Sequence, residues 1–546
     1  MPPRSRASSR SSRSSRSSSR ERSCSPKRSH AKYDTAKYSE LYDYFKYKLL
    51  TDETIMPAGS SAYVNAYSTE SKTVPISYPV TLEDLHAVQN IDHLYPSSPF
   101  YVRESGVYTL FFVSTDNQSS QFTVFVNGVV EPLTTIGTNS GAGQLVSRHM
   151  LILKKDDNVV IRNYLSAVGA VTQSTLIGGL AEVSDTTFLL MKIAPHPEAV
   201  KCAQDECDFK LSKKEKCTYK KLLGDMLADK DLMLKGFNIH GSFFKIGAQA
   251  VDVEGPVAFD TSLNVTGLEL LPTNDVRVSE DGIYKVYFTI STSTACQFAF
   301  FVNGAPVHST TMGTNKGAGQ MTIRALIEMK KDDVLSVRNH TSAAPIVITP
   351  QSGGRVPSID AIMTIFKAAP LTEPLIDHAR WCNMNNKCWS YKAFRQFLLS
   401  KKYLQIDGAQ AYFSVTTATP QSIIVGESFD FATNQVVPYR SQHTQGTTTI
   451  CIERDGIYNV FADVITNQPS QITIFVNNVP DVTTTFGRDS GGNRCFVRQF
   501  MKLRCGDVLT LRNYESALGL IETATNPGGQ FVGQVAMFMA FRLSAC

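Results

Sequence analysis

Carboxylates recur at matching places along the chain: Asp156 beside Asp157, Asp332 beside Asp333, and Asp507 on its own. Such sets could hold calcium, but each lies between two apolar runs, where an aspartate side chain commonly caps a turn. Gly137–Gly143 has the glycine content of a phosphate-cradling loop, yet no Lys-Ser or Lys-Thr step and no helical pattern follow, so it reads as a strand connection. Cys202, Cys207 and Cys217 precede one helical pattern and Cys382 and Cys388 another, at spacings that fit no CxxC zinc site. A disulfide formed on maturation and reduced thiols both stay open. Arg148, Arg324 and Arg498, like Arg162, Arg338 and Arg512, recur in strand-like surroundings, where ion pairs or subunit contacts are the expected use. No Ser-His-Asp or Cys-His set repeats. The chain therefore reads as a non-enzyme, with no catalytic residue, metal or cofactor assigned.

The N-terminal residues carry a different chemistry. Nine basic side chains (Arg4, Arg6, Arg10, Arg13, Arg16, Arg20, Arg22, Lys27, Arg28) face one acid, Glu21, within the first 30 residues, 13 of which are serine. A segment this polar, with no aromatic before Tyr33, cannot bury enough apolar area to offset its ordering entropy and is expected to be disordered. Clustered arginines attract phosphate backbones without sequence preference, so these nine residues are the candidate nucleic-acid contacts. The Ser-Arg steps also resemble the phosphorylated RS segments of nuclear RNA-processing proteins. The bland alternatives are a solubilising tail or a localisation stretch at Pro26-Lys27-Arg28. The arm's +8 against the chain's +5 leaves the remaining residues at −3, so no basic-surface argument extends to the body.

No apolar run reaches the roughly 18–20 residues of a membrane span, and no apolar stretch follows the basic N-terminus as in a signal peptide. The 11 cysteines are odd in number and scattered, which points to reduced thiols in a cytosolic or nuclear setting. The sequons at Asn117, Asn264 and Asn339 then read as chance matches.

Three copies of one pattern make up the body. Gly106-Val107-Tyr108 recurs as Gly282-Ile283-Tyr284 and Gly456-Ile457-Tyr458. Gln121–Asn127 recurs as Gln297–Asn303 and Gln471–Asn477. Gly137, Gly141 and Arg148, then Arg162-Asn163 followed by Ser-Ala, recur in the same register, offset by 176 and then by 174 residues.

Each copy reads as β. Val107–Val113 and Phe122–Val126 are rich in strand formers, and Asn127-Gly128 supplies the positive φ angles of a tight hairpin, as do Asn303-Gly304 and Asn477-Asn478. Further strands are expected at Leu145–Leu153 and Val159–Asn163, with closing strands at Thr187–Ile193, Ala361–Phe366 and Val535–Phe541. Short strands between turn signals, without intervening helices, indicate a sandwich or barrel. Before each sandwich stands an amphipathic helical pattern: Tyr38, Leu41, Tyr42, Phe45 and Leu49; Tyr219, Leu222, Leu223, Met226 and Leu227; Tyr391, Phe394, Leu398 and Leu399. Its apolar face either packs on its own sandwich or glues neighbouring units or subunits.

The succession Gly-(Val/Ile)-Tyr, Phe-Val-Asn-Gly, a glycine-rich loop, then Lys-Lys-Asp-Asp and Arg-Asn resembles the C1q/TNF-like jelly-roll family. The likeness is strongest to its versions in large DNA viruses and bacterial spore surfaces. Val251–Thr261 is similar to that family's first strands. The resemblance implies a mainly β chain of three tandem antiparallel jelly-roll sandwiches, each behind a short amphipathic helix. The expected divisions are a disordered basic arm at 1–32 and helix-plus-jelly-roll units at 33–197, 198–371 and 372–546. Family members typically trimerise as recognition heads or shells, so the expected partner is self, as a trimer or an intrachain pseudo-trimer. A jelly roll behind a basic arm also resembles virion shell proteins. That likeness implies a structural protein of a virus particle, located in the virion and in host nucleus or cytoplasm during assembly, with other virion proteins and nucleic acid as partners. A C1q-like surface recognition module and a nuclear RNA-associated protein are the alternatives.

Overall fold

The computed structural model describes residues 35–544 apart from 51–54, 58, 94–97, 139–142, 174–185, 198–212, 230–231, 235, 238, 293, 315–318, 349–358, 372–390, 400–408, 410, 489–492 and 524–534. The nine basic residues of the arm, and Cys202, Cys207, Cys382 and Cys388, lie outside the described residues.

The chain is mainly β, and its ladders are antiparallel. In the first copy a seven-stranded sheet runs in the order Lys72–Val74, Val171–Gln173, Gly106–Asp116, Thr186–Pro195, Tyr63–Ser68, Asp84–Gln89, with Gly143–Leu153 also paired to Gly106–Asp116. A six-stranded sheet centred on Ser120–Val126 and Asn158–Asn163 faces it. The second copy repeats both sheets, and the third splits the larger into five-stranded and two-stranded pieces. The closing strands run past their expected C-terminal limits, as Thr186–Pro195, Ile359–Ala369 and Ala536–Ser544, the third starting one residue later than expected. Of Val251–Thr261, only Val251 and Thr261 belong to strands, and the segment between turns through Glu254 at φ 64°.

The repeated residues have local physical reasons. A Cβ on Gly106, Gly282 or Gly456 would stand 2.8, 3.0 or 2.6 Å from the carbonyl oxygen of Ala194, Ala369 or Ser544, so only glycine admits the closing strand. Two residues on, Tyr108, Tyr284 and Tyr458 donate their hydroxyls to the carbonyls of Glu104, Glu280 and Arg454 at 2.8, 2.7 and 2.6 Å. The hairpins turn through positive φ at Asn127-Gly128, Asn303-Gly304 and Asn477-Asn478, as the sequence required. Ser166, Ser342 and Ser516 accept from the backbone N–H of Gln121, Gln297 and Gln471. Buried Asn163, Asn339 and Asn513 tie the same turn to the strand edge by donating to Val74, Val251 and Ile423.

All eleven residues of Gly106–Asp116 are buried, which a sheet with one wet face would not produce. Side chains alternate between faces. Tyr108, Leu110 and Phe112 enter the interior of their own sandwich, whereas Val107, Phe111 and Val113 join a cluster with Tyr287 of the second copy and Phe461, Phe496 and Phe500 of the third.

The three copies close into a ring within one chain. Gly143–Leu153 packs on Thr433–Tyr439, Asn493–Leu503 on Thr261–Thr266, and Gly319–Met329 on Asp84–Gln89, so each copy meets the next in the same way. Backbone hydrogen bonds follow the cycle: Ser60 to Ala368 at 2.8 Å, Phe237 to Leu543 at 2.9 Å and Ala409 to Ile193 at 2.7 Å. The Gln144 and Gln320 side chains accept from the backbone of Thr322 and Phe496, each at 2.8 Å, while the third copy carries Arg494 at this position.

The helices α1 (Thr35–Leu50), α2 (Lys213–Leu227) and α3 (Tyr391–Leu399) pack on one another. Their common core holds Leu41, Phe45 and Leu49 with Tyr219, Leu222, Met226, Phe394 and Leu398. Phe45 stacks on Phe394 at 4.8 Å, and Tyr219 reaches both rings at 6.1 and 5.1 Å. Of the two uses left open for these faces, joining units is the one adopted. Leu227, counted on the apolar face by spacing, ends up 39% exposed at the helix terminus, and Phe397, absent from that count, is buried.

Candidate functional site at the ring axis

Both repeated arginine sets sit in strands, but they do different work. Arg148, Arg324 and Arg498 occupy the middle of Gly143–Leu153, Gly319–Met329 and Asn493–Leu503, paired in register with Phe111, Tyr287 and Phe461. Those rings are on the face turned towards the other copies, so the arginines turn that way too and are 0%, 4% and 1% exposed. Each guanidinium then lies over the ring of a neighbouring copy: Arg324 over Phe111 at 4.2 Å, Arg498 over Tyr287 at 4.1 Å, and Arg148 over Phe461 at 5.2 Å. Lys285 adds its ammonium over Phe111 at 4.2 Å and is fully buried. Desolvated cation–π contacts of this kind contribute about 2 kcal/mol each.

Burial and the neighbouring guanidiniums push the Lys285 ammonium well below the usual lysine range. Burial and the other two arginines act the same way on Arg148. Tyr287 moves down despite its burial, because Arg324 and Arg498 favour a phenolate. The carboxylate whose field reaches Arg324 is that of Asp463.

Arg162, Arg338 and Arg512 take no part in the axis. They stack over the hairpin rings of their own copies, Phe125, Phe301 and Phe475, at 4.9, 4.9 and 4.4 Å. These are contacts within a copy, where the sequence had suggested ion pairs or subunit contacts.

The repeated aspartates serve turns. Asp157, Asp333 and Asp507 accept from Asn127, Asn303 and Asn477 with one oxygen and from the backbone N–H of Lys154, Lys330 and Arg504 with the other. Both oxygens are thereby engaged in the hairpin. Asp156 and Asp332 sit at φ 70° in the turn itself. Gly137 and Gly143 lie in strands of opposite sheets, which makes the glycine-rich stretch a connection between them. Among the described residues Cys296 and Cys495 are buried thiols, Cys495 donating to the carbonyl of Phe486, and Cys217 stands in α2. Asn339 is fully buried, with its amide donated to Val251, which leaves no room for a glycan.

What the sequence reading missed is the convergence of the axial arginines. The available signal was Val107–Val113, whose lack of polar alternation implies that both faces of the strand are covered.

No family model and no curated protein matches the chain. Among solved structures it is similar to the globular domain of zebrafish complement 1qA protein, 18% identical over 25% of this chain and 99% of that one, at a TM-score of 0.20. It is also similar to the Eiger TNF structure from S. frugiperda, 16% identical over 25% of this chain and 96% of that one, at a TM-score of 0.21.

Proposed function

We propose that this chain is a non-catalytic structural protein, a pre-assembled threefold block for the shell of a virus particle whose N-terminal arm contacts nucleic acid. The observation that carries this reading is the closed ring. Contacts that separate jelly-roll chains would use to trimerise are made inside one chain, so the block presents outward-facing sheets and hairpins for tiling. The arm joins the ring at α1, whose Phe45 and Leu49 are anchored among the three helices, so the nine basic residues are tethered to the helical end. A recognition head of the C1q kind is the second reading. It is favoured by hairpins that leave Val129 and Val479 each 65% exposed.

Binding of full-length chain to single- and double-stranded DNA and RNA, against a chain with the nine arm cations changed to serine, tests the proposal. The expected outcome is sequence-independent binding whose salt slope on duplex is no steeper than about −8, abolished in the serine chain while both sediment alike. Equal binding by the two chains would overturn the role given to the arm.

A further inference from the structure

Three guanidiniums and one ammonium converge where the copies meet, with little negative charge to balance them. Arg148 makes no hydrogen bond through Nε, Nη1 or Nη2 to any described residue, and the same holds for Nη1 and Nη2 of Arg498 and Nζ of Lys285. Of the Arg498 donors, Nε finds an acceptor, Asn459 Oδ1 at 3.2 Å. The stacked rings cover the faces of these groups but offer nothing to their N–H edges.

A buried cation without a counter-charge has few ways out. Lysine can shed its proton, whereas a guanidinium does not deprotonate in proteins. Even with Lys285 neutral and Tyr287 ionised, three guanidiniums face two negative charges among the described residues, those of Tyr287 and Asp463. An uncompensated charge at this depth is strongly destabilising, and unmade hydrogen bonds add to it. A planar guanidinium edge is shaped for two oxygens of a carboxylate, phosphate or sulfate.

We propose that the ring axis is a structural anion site, in which Arg148, Arg498 and Lys285, with Arg324 beside them, enclose one inorganic tetrahedral oxyanion, phosphate or sulfate. Bound there, it would satisfy donors contributed by all three copies and act as a charge clip closing the ring. The site is independent of the arm and of its nucleic-acid role.

Ion chromatography of extensively desalted, then denatured, full-length protein measures the content directly. The arm-serine chain should release about one equivalent of phosphate or sulfate, because mass action retains a ligand that binds only the folded ring. Arg148→Met and Lys285→Met should each release markedly less. Refolding in chloride-only buffer should lower the melting temperature, and added phosphate or sulfate should restore it in the arm-serine chain but not in Arg148→Met. If Arg148→Met fails to fold, the arm-serine chain still decides through its own content and its oxyanion-dependent melting. Oxyanion content below a tenth of an equivalent, retention of chloride alone, or equal content in a folded Arg148→Met chain would overturn the site.

Discussion

Arg148, Arg324 and Arg498 recur as regularly as Arg162, Arg338 and Arg512, yet the first set lies at the ring axis, where each reaches a ring of a neighbouring copy, and the second on the outer sheets over rings of its own copy. Repetition in sequence therefore records two constraints. One shapes the copy and would be needed by a sandwich standing alone. The other exists only because three copies meet. Burial separates them, since the axial set is sealed and the outer set is in partial contact with water.

The contrast can be broken most forcefully at Tyr287. Tyr287→Ala removes the ring lying under both Arg324 and Arg498, and should cost about 3–5 kcal/mol in urea unfolding, with loss of stability in all three copies. A loss confined to the second copy would show that the axis does not couple them.

Asp116 sharpens the comparison among copies, because Thr292 and Thr466 hold its position in the other two. Burial raises its carboxyl to about 6, against the opposing hydrogen bonds of Ser114 and Ser120. With the folded value above the unfolded one, its stabilising contribution is full below about pH 4 and is lost as pH rises through about 6, an effect of about 2–3 kcal/mol. Asp116→Asn should flatten the stability profile of the chain across that window. An unchanged profile would mean that Asp116 ionises as freely folded as unfolded.

Tyr108→Phe deletes one hydrogen bond inside the first copy and should cost about 1–2 kcal/mol by thermal melting. The smallest change is expected from Arg338→Ala, about 0.5–1 kcal/mol, since a partly wet cation–π contact is weak. A loss at Arg338→Ala as large as that at Arg324→Ala would erase the distinction between the sets.

Much of each copy was legible from spacing. Asn127-Gly128 and its counterparts announce their turns through backbone strain that few residues tolerate, and the strands around them follow from β-branched and aromatic content. The helical faces were legible as apolar stripes, but a stripe does not name its partner. Phe45 meets Phe394 across 349 positions of chain, a contact that no local pattern encodes. The axial arginines were hidden for a related reason. Period-two alternation says that Arg148 and Phe111 share a face but not what lies beyond it. The Val107–Val113 run, apolar on both faces but for Thr109, carried that information, and its meaning emerges only when both faces of the strand are covered.

The central claim is that the ring closes within one chain, and the contact between first and third copies tests it most directly. Gln435 receives the backbone N–H of Met150 at 3.1 Å and donates to the carbonyl of Leu133 at 3.1 Å. A photo-cross-linking residue placed at position 435, in a refolded mixture of unlabelled and nitrogen-15-labelled full-length chains, should capture the segment around residues 133–150. Cross-linked peptide pairs of matched isotope only are the result the closed ring predicts. Mixed-isotope pairs, or no capture of this segment, would contradict it.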